Sequence, residues 1–177
     1  MSNVVKENII VCCLDYNIGV NVAKRLADSL DMYFLDIQGL YEFDIKPRTI
    51  AETIKEQGID YYRNEISGTI KYVSTFNNSV IAIESGAVEE LKIIERIKEH
   101  CLFIYVRSFP KWVENINYKF DCKSQEEENL YRLTDDCIVL RDKMLCENAE
   151  IIAYGEENNI QSFVDNIENK IKKFYGV

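Results

Sequence analysis

Several things are scarce in this chain of 177 residues, and each shortage excludes a class of function. There is one histidine, His100, and the six cysteines (Cys12, Cys13, Cys101, Cys122, Cys137 and Cys146) contain no C-x-x-C pair, so no zinc-ligand spacing can be assembled. No apolar run approaches the roughly 18 residues of a membrane span. The opening MSNVVKENIIV has no long apolar segment with a cleavage site, so a cytoplasmic protein is expected. No basic stripe interrupts an excess of 30 acidic over 21 basic residues, a formal charge of -9, which argues against nucleic acid and against an anionic membrane as partners. What is present, 47% hydrophobic and 29% charged residues without a low-complexity tail, suits one compact domain over residues 1–177 with reduced thiols. Cys12 and Cys101, in or beside apolar runs, read as small buried hydrophobes, while Cys13 at the mouth of a helix leaves a lowered thiol pKa open.

Glycine is missing where it would matter most. Residues 9–31, IIVCCLDYNIGVNVAKRLADSLD, read as an apolar strand, a short loop and an amphipathic helix, the first βα unit of an α/β protein. A phosphate-cradling loop there needs glycines, a lysine for the outer phosphates and a hydroxyl for the metal. With the helix starting near Val20, the four diagnostic slots of G-x-x-x-x-G-K-[ST] fall on Cys13, Ile18, Gly19 and Val20, and none carries the required residue. A filled, ordered turn is expected, with Tyr16 or Ile18 in the volume a phosphate would take.

Strands alternate with helices along the rest of the chain. Residues 8–12 are the first strand, and Val22, Ala23, Leu26, Ala27 and Leu30 form the inward stripe of the next helix. Residues 32–36 form a second strand that delivers Asp36 and Gln38 to the edge where open α/β sheets bind ligands. Thr49 and Glu52 make a capping box for a helix that Gly58 ends, and a second helix runs from Asp60 to about Phe76. Further strands fall at 79–83, 102–106 and within AEIIAY, with helices marked by Leu91, Ile94 and Ile97, by the stretch that Pro110 opens, by a segment ending near Cys146, and by Ile160 through Phe174. Such alternation implies a parallel sheet of about five strands covered on both faces.

Four fragments, in order and at matching separations, resemble the shikimate kinase family. TIAETIKEQGIDYYR is similar to its helix pair ending in Phe-Arg, with Tyr62-Arg63 in that place. SVIAIESGAV stands where the family has a strand, three glycines and an alanine. RDKMLCENAEIIAY resembles its R-D-P-L-Y helix and last strand, and the strand–helix order from Asn8 onward agrees. The resemblance implies a P-loop nucleoside-monophosphate-kinase-like three-layer α/β fold, a substrate subdomain near 37–66 and a lid near 115–130. It implies a carboxylate grip by Arg63 and Arg141, with Asp36 and Gly86 beside them as substrate-binding residues. Gln38 stands where the family has a second aspartate, and an amide cannot take a proton. The lid arginine falls near Lys119 or Lys123 on one register and Arg132 on another.

The family would use ATP and magnesium, but no catalytic, nucleotide-binding or metal-binding residue can be carried over. Losing the lysine, the hydroxyl and the loop glycines together removes the main source of phosphoryl-transfer rate. The expectation is therefore a degenerate member, not a competent kinase, that binds a small carboxylate or a protein partner. Two other readings stay open: an active shikimate kinase of aromatic amino-acid biosynthesis, and a structural interaction module. Two facing guanidinium groups require an anion between them, and Glu84, in place of a family glycine, is the expected internal acid.

Overall fold

A computed structural model describes residues 6–89, 91–108, 135–156 and 158–176. The expected lid, the Pro110 helix, Trp112, Cys122 and the candidate lid residues Lys119, Lys123 and Arg132 lie outside them. Five strands, β1 (Asn8–Cys13), β2 (Tyr33–Asp36), β3 (Ser79–Glu84), β4 (Cys101–Val106) and β5 (Ile151–Ala153), form one sheet in the order β2-β3-β1-β4-β5. Every pairing is parallel. All the carboxyl ends therefore open on one edge, where Cys13, Asp36, Glu84 and Val106 stand.

The described helices are α1 (Tyr16–Leu30), α2 (Ile37–Asp44), α3 (Ile50–Gln57), α4 (Ile59–Val73), α5 (Leu91–His100), α6 (Asp135–Asn148) and α7 (Ile160–Tyr175). Successive strand residues point to opposite faces, so the sheet divides the core in two. Ile9, Val11 and Cys13 of β1 pack with Val22, Leu26, Phe163 and Ile167 of α1 and α7. Ile10 and Cys12 pack on the other side with residues of α2 to α6, including Ile66, Ile70, Ile94 and Leu145. β1, β3 and β4 are buried on both faces, which is why they read as continuous apolar runs.

Local signals place the α3–α4 pair. Thr49 accepts from the Glu52 N–H while Glu52 accepts from the Thr49 N–H, closing a capping box worth about 1 kcal/mol. Gly58 ends α3 and opens α4 at φ +90° and ψ 161°, a region that a side chain would strain. Two elements differ from the sequence expectation. α1 begins at Tyr16, not near Val20, because Asp15 caps it. Residues 37–44 form a helix that the sequence pattern did not announce, so Gln38 lies on α2 and not at a strand end.

Candidate ligand site at the carboxyl edge of the sheet

Between β1 and α1 lie only Leu14 and Asp15. The first N–H groups of a helix lack intrahelical partners and carry its positive end. Here the Asp15 carboxylate accepts from the N–H of Asn17 at 2.9 Å and of Ile18 at 3.2 Å. Of the two side chains expected to fill a turn, Ile18 is helical and packs with the α1–α7 side of the core. Tyr16 instead reaches across the edge, its hydroxyl donating to Asp36 Oδ1 and accepting from the Gln38 N–H. Burial and the Asp36 carboxylate both hold the Tyr16 hydroxyl protonated far above its usual range.

The Gly19 side of α1 faces the sheet, and a Cβ there would lie 3.1 Å from Cys13 Cβ. Cys13 itself is fully buried, and burial pushes its thiol up to about 11 although the Ser108 hydroxyl at 3.5 Å pulls the other way. The lowered pKa left open for this thiol is thus contradicted, because burial outweighs the Ser108 hydroxyl and the Asp15 N–H at the helix start, which both lower it.

Asp36 serves as the N-cap of α2, accepting from the Gly39 N–H at 2.9 Å. Gly39 makes room for it, since a Cβ there would meet Asp36 Oδ2 at 2.9 Å. Both Asp36 contacts are internal: the cap and the Tyr16 hydroxyl. Its position at the end of β2 was legible; its partner from α1 was not.

Arg63 on α4 and Arg141 on α6 do converge, and the acid between them is Glu89. Arg141 donates from Nε at 2.7 Å and Nη2 at 2.6 Å to Glu89 Oε1, and Arg63 Nη2 donates to Oε2 at 3.0 Å. Arg141 Nη1 lies 3.3 Å from Ser85 Oγ. The expectation that Glu84 is the bridging acid is corrected: Glu84 accepts from the Tyr62 hydroxyl at 2.9 Å and belongs to the layer beneath. The cause is the 3₁₀ turn over Ser85–Glu89, which brings the chain back over the β3 end and swings Glu89 between the arginines. Gly86 lies in that turn, 3.5 Å from Arg141 Nη2 and 3.6 Å from Glu84 Oε1 as measured from the Cβ it lacks. No sequence signal separated Glu89 from its acidic neighbours.

Burial raises the Glu84 carboxyl above the usual range, against the Tyr62 hydroxyl and the charges of Arg141 and Arg63, which lower it; Glu89 adds to the rise. A raised carboxyl pKa gives stability that is complete below the unfolded value and fades as pH rises through the folded one. Replacing Glu84 with glutamine should therefore raise the urea midpoint at pH 7.5 relative to the native chain, and the gain should vanish below pH 4. An equal effect at both pH values would contradict the burial account.

A second ion pair was also unannounced. Arg107, just past β4, donates to both oxygens of Asp142 at 2.9 and 2.8 Å, and the buried Tyr105 donates to Asp142 Oδ1 at 2.6 Å. The hydrogen bond to Asp142 raises the Arg107 pKa. Asp142 stands in the R-D-K tripeptide next to Arg141, so the pair fixes the α6 turn that presents Arg141. Among the described residues no group of three or more His, Cys, Asp or Glu is arranged to hold a metal, and no helix is long and apolar enough to cross a membrane.

A parallel sheet in this order, layered by helices on both faces, with its charged residues gathered at the strand carboxyl ends, defines a P-loop kinase fold. Solved structures agree: the shikimate kinase of Acinetobacter baumannii in complex with shikimate has a TM-score of 0.75 at 17% identity, covering 96% of this chain and 94% of that one. The shikimate kinase of Aquifex aeolicus has 0.73 at 20% identity, covering 93% and 95%. In sequence, the shikimate kinase of Chloroherpeton thalassium is 25% identical over 160 residues, 86% of this chain and 85% of its own length. That of Chlorobium phaeovibrioides is 24% identical over 163 residues, covering 87% and 82%. The family model described as shikimate kinase matches residues 20–172. The chain belongs to the shikimate kinase family.

Proposed function

We propose that this member of the family does not transfer phosphate from ATP and that its arginine pair binds a small carboxylate. The observation that carries the first half is the β1–α1 connection: two residues long, with the Asp15 carboxylate on the N–H groups that would meet a phosphate. A nucleotide phosphate entering there has to displace a tethered anion and then face its charge. Gly19 and Val20 stand in α1 in place of the lysine and the hydroxyl, and Asp36 is engaged by Tyr16 and the Gly39 N–H. The family match begins at Val20, past this connection. The residues present do not fit a nucleotide with magnesium.

The second half rests on Arg63 and Arg141 meeting at one carboxylate. Two guanidinium groups at a sheet edge recognise a planar carboxylate through paired N–H donors. Arg63, with 39% of its side chain exposed against 14% for Arg141, is the group a ligand meets first. In a ligand-bound state these residues bind and orient; Gln38, an amide, cannot take a proton from a ligand hydroxyl.

Calorimetry of the native chain with MgATP, with shikimate and with both tests this. No millimolar-or-better MgATP heat is expected, with or without shikimate. Micromolar, magnesium-dependent ATP affinity would overturn the proposal.

A further inference from the structure

We infer that Glu89 is an internal carboxylate that occupies the ligand's place between Arg63 and Arg141, so that an incoming carboxylate must exchange with it. This rests on the arginine-pair reading above and goes beyond it by naming the residue that sets affinity.

Glu89 does what a bound carboxylate would do. One oxygen takes Nε and Nη2 of Arg141 and the other takes Nη2 of Arg63, a bridging geometry that satisfies both guanidinium groups with a single anion. The bridge is not part of the core. Glu89 has 27% of its side chain exposed and sits at the last position of the 3₁₀ turn, not in the middle of a helix. Swinging it outward therefore exposes a charge to water and does not bury one.

The other groups facing the bridge favour this arrangement over an empty pair. Glu84 lies beneath it, engaged by Tyr62, and Ser85 takes the remaining Arg141 nitrogen. Without Glu89 the two cations would be left facing Glu84, which Tyr62 already engages.

The consequence for binding is competitive. A carboxylate tethered within the same turn acts at an effective concentration of roughly millimolar or above. A free monocarboxylate thus replaces one bridge with a similar one and gains little, and its apparent affinity is reduced by the fraction of molecules in which the arginines are free. Removing the competitor while keeping the side-chain shape raises that fraction. Glu89→Gln should bind shikimate at least about tenfold more tightly than the native chain. Glu89→Asp, which keeps the charge on a shorter stem, should fall between them.

The test is calorimetry and thermal unfolding of the native chain, Glu89→Gln, Glu89→Asp, Arg63→Ala and Arg63→Ala/Glu89→Gln, each with shikimate and with benzoate as a carboxylate lacking ring hydroxyls. The expected result is a gain in carboxylate affinity and in ligand-induced Tm shift for Glu89→Gln, abolished by adding Arg63→Ala. Glu89→Asp keeps the test valid if the glutamine variant fails to fold. Equal or weaker carboxylate binding by Glu89→Gln overturns the inference. If shikimate binding to the native chain is lost in Arg63→Ala but unchanged in Glu89→Gln, the inference alone falls and the arginine-pair reading stands. If Arg63→Ala leaves that binding intact, the reading itself falls.

Discussion

Placing lysine at position 19, where the phosphate-loop pattern requires one, should lower stability by roughly 2 kcal/mol or more and give no ATP binding. The pattern makes this look like a repair, but Gly19 is buried in the second turn of α1 against the central strand. Its Cβ would stand 3.1 Å from Cys13 Cβ and 3.5 Å from the Cys13 N. Cys13 is fully buried and its backbone is paired with β3 and β4 on either side, so the strand cannot retreat.

Overpacking at such a site costs about 1–3 kcal/mol. An ammonium starting from a buried position adds to that unless its stem can carry it to water. The gain from replacing a helical glycine returns at most about 1 kcal/mol, so the losses win. The urea midpoint at constant m-value reads the stability, and calorimetry with MgATP reads the binding. An unchanged midpoint, or the appearance of magnesium-dependent ATP affinity, would show that α1 does not sit on the sheet as described.

Replacing Asp142 with alanine should cost about 2–4 kcal/mol and should also weaken the hold on Arg141. Asp142 accepts two hydrogen bonds from Arg107 and one from Tyr105, with a longer one from the Cys146 thiol at 4.0 Å. Tyr105 is fully buried, so its hydroxyl loses an acceptor where water does not readily replace it. The charge term for Arg107 is smaller, because about a quarter of that side chain is exposed. The pair ties β4 to α6 one residue from Arg141. Hydrogen exchange should therefore quicken along α6 more than along α7, which has no part in it. A loss below about 0.5 kcal/mol, the scale of an exposed pair, would mean that the network is solvated.

Helices and strands were legible where one physical signal acted alone. The apolar runs of β1, β3 and β4 announce strands covered on both faces. The Thr49–Glu52 box and Gly58 announce the boundaries of α3, because a cap is settled within four residues. α1 and α2 show the opposite case. Asp15 and Asp36 each accept from backbone N–H groups ahead of them, starting α1 earlier than its apolar stripe suggests and α2 where no stripe was read. A hydrophobic period marks where a helix packs, not where its first turn is capped.

The site divides in the same way. The resemblance placed Asp36, Arg63, Gly86 and Arg141 together as substrate-binding residues, and they stand at the end of β2, on α4, in the 3₁₀ turn and on α6. It did not place their partners. Glu89 and Glu84 are acids of the same stretch, and which one bridges the arginines depends on a single 3₁₀ turn. Tyr16 and Asp36, 20 residues apart, meet because β1 and β2 both end at the edge from which α1 and α2 start.

By itself the sequence determined the layered parallel sheet, the resemblance to the family, and which residues stand at positions 13, 18, 19 and 20, because burial patterns and residue identities are local properties. Only the tertiary structure decided how the side chains at this edge pair: Asp15 on the α1 terminus, Tyr16 with Asp36, and Glu89 between Arg63 and Arg141. Those are choices among side chains of equal charge and similar reach, and what separates them is the direction in which each backbone turn points its Cβ.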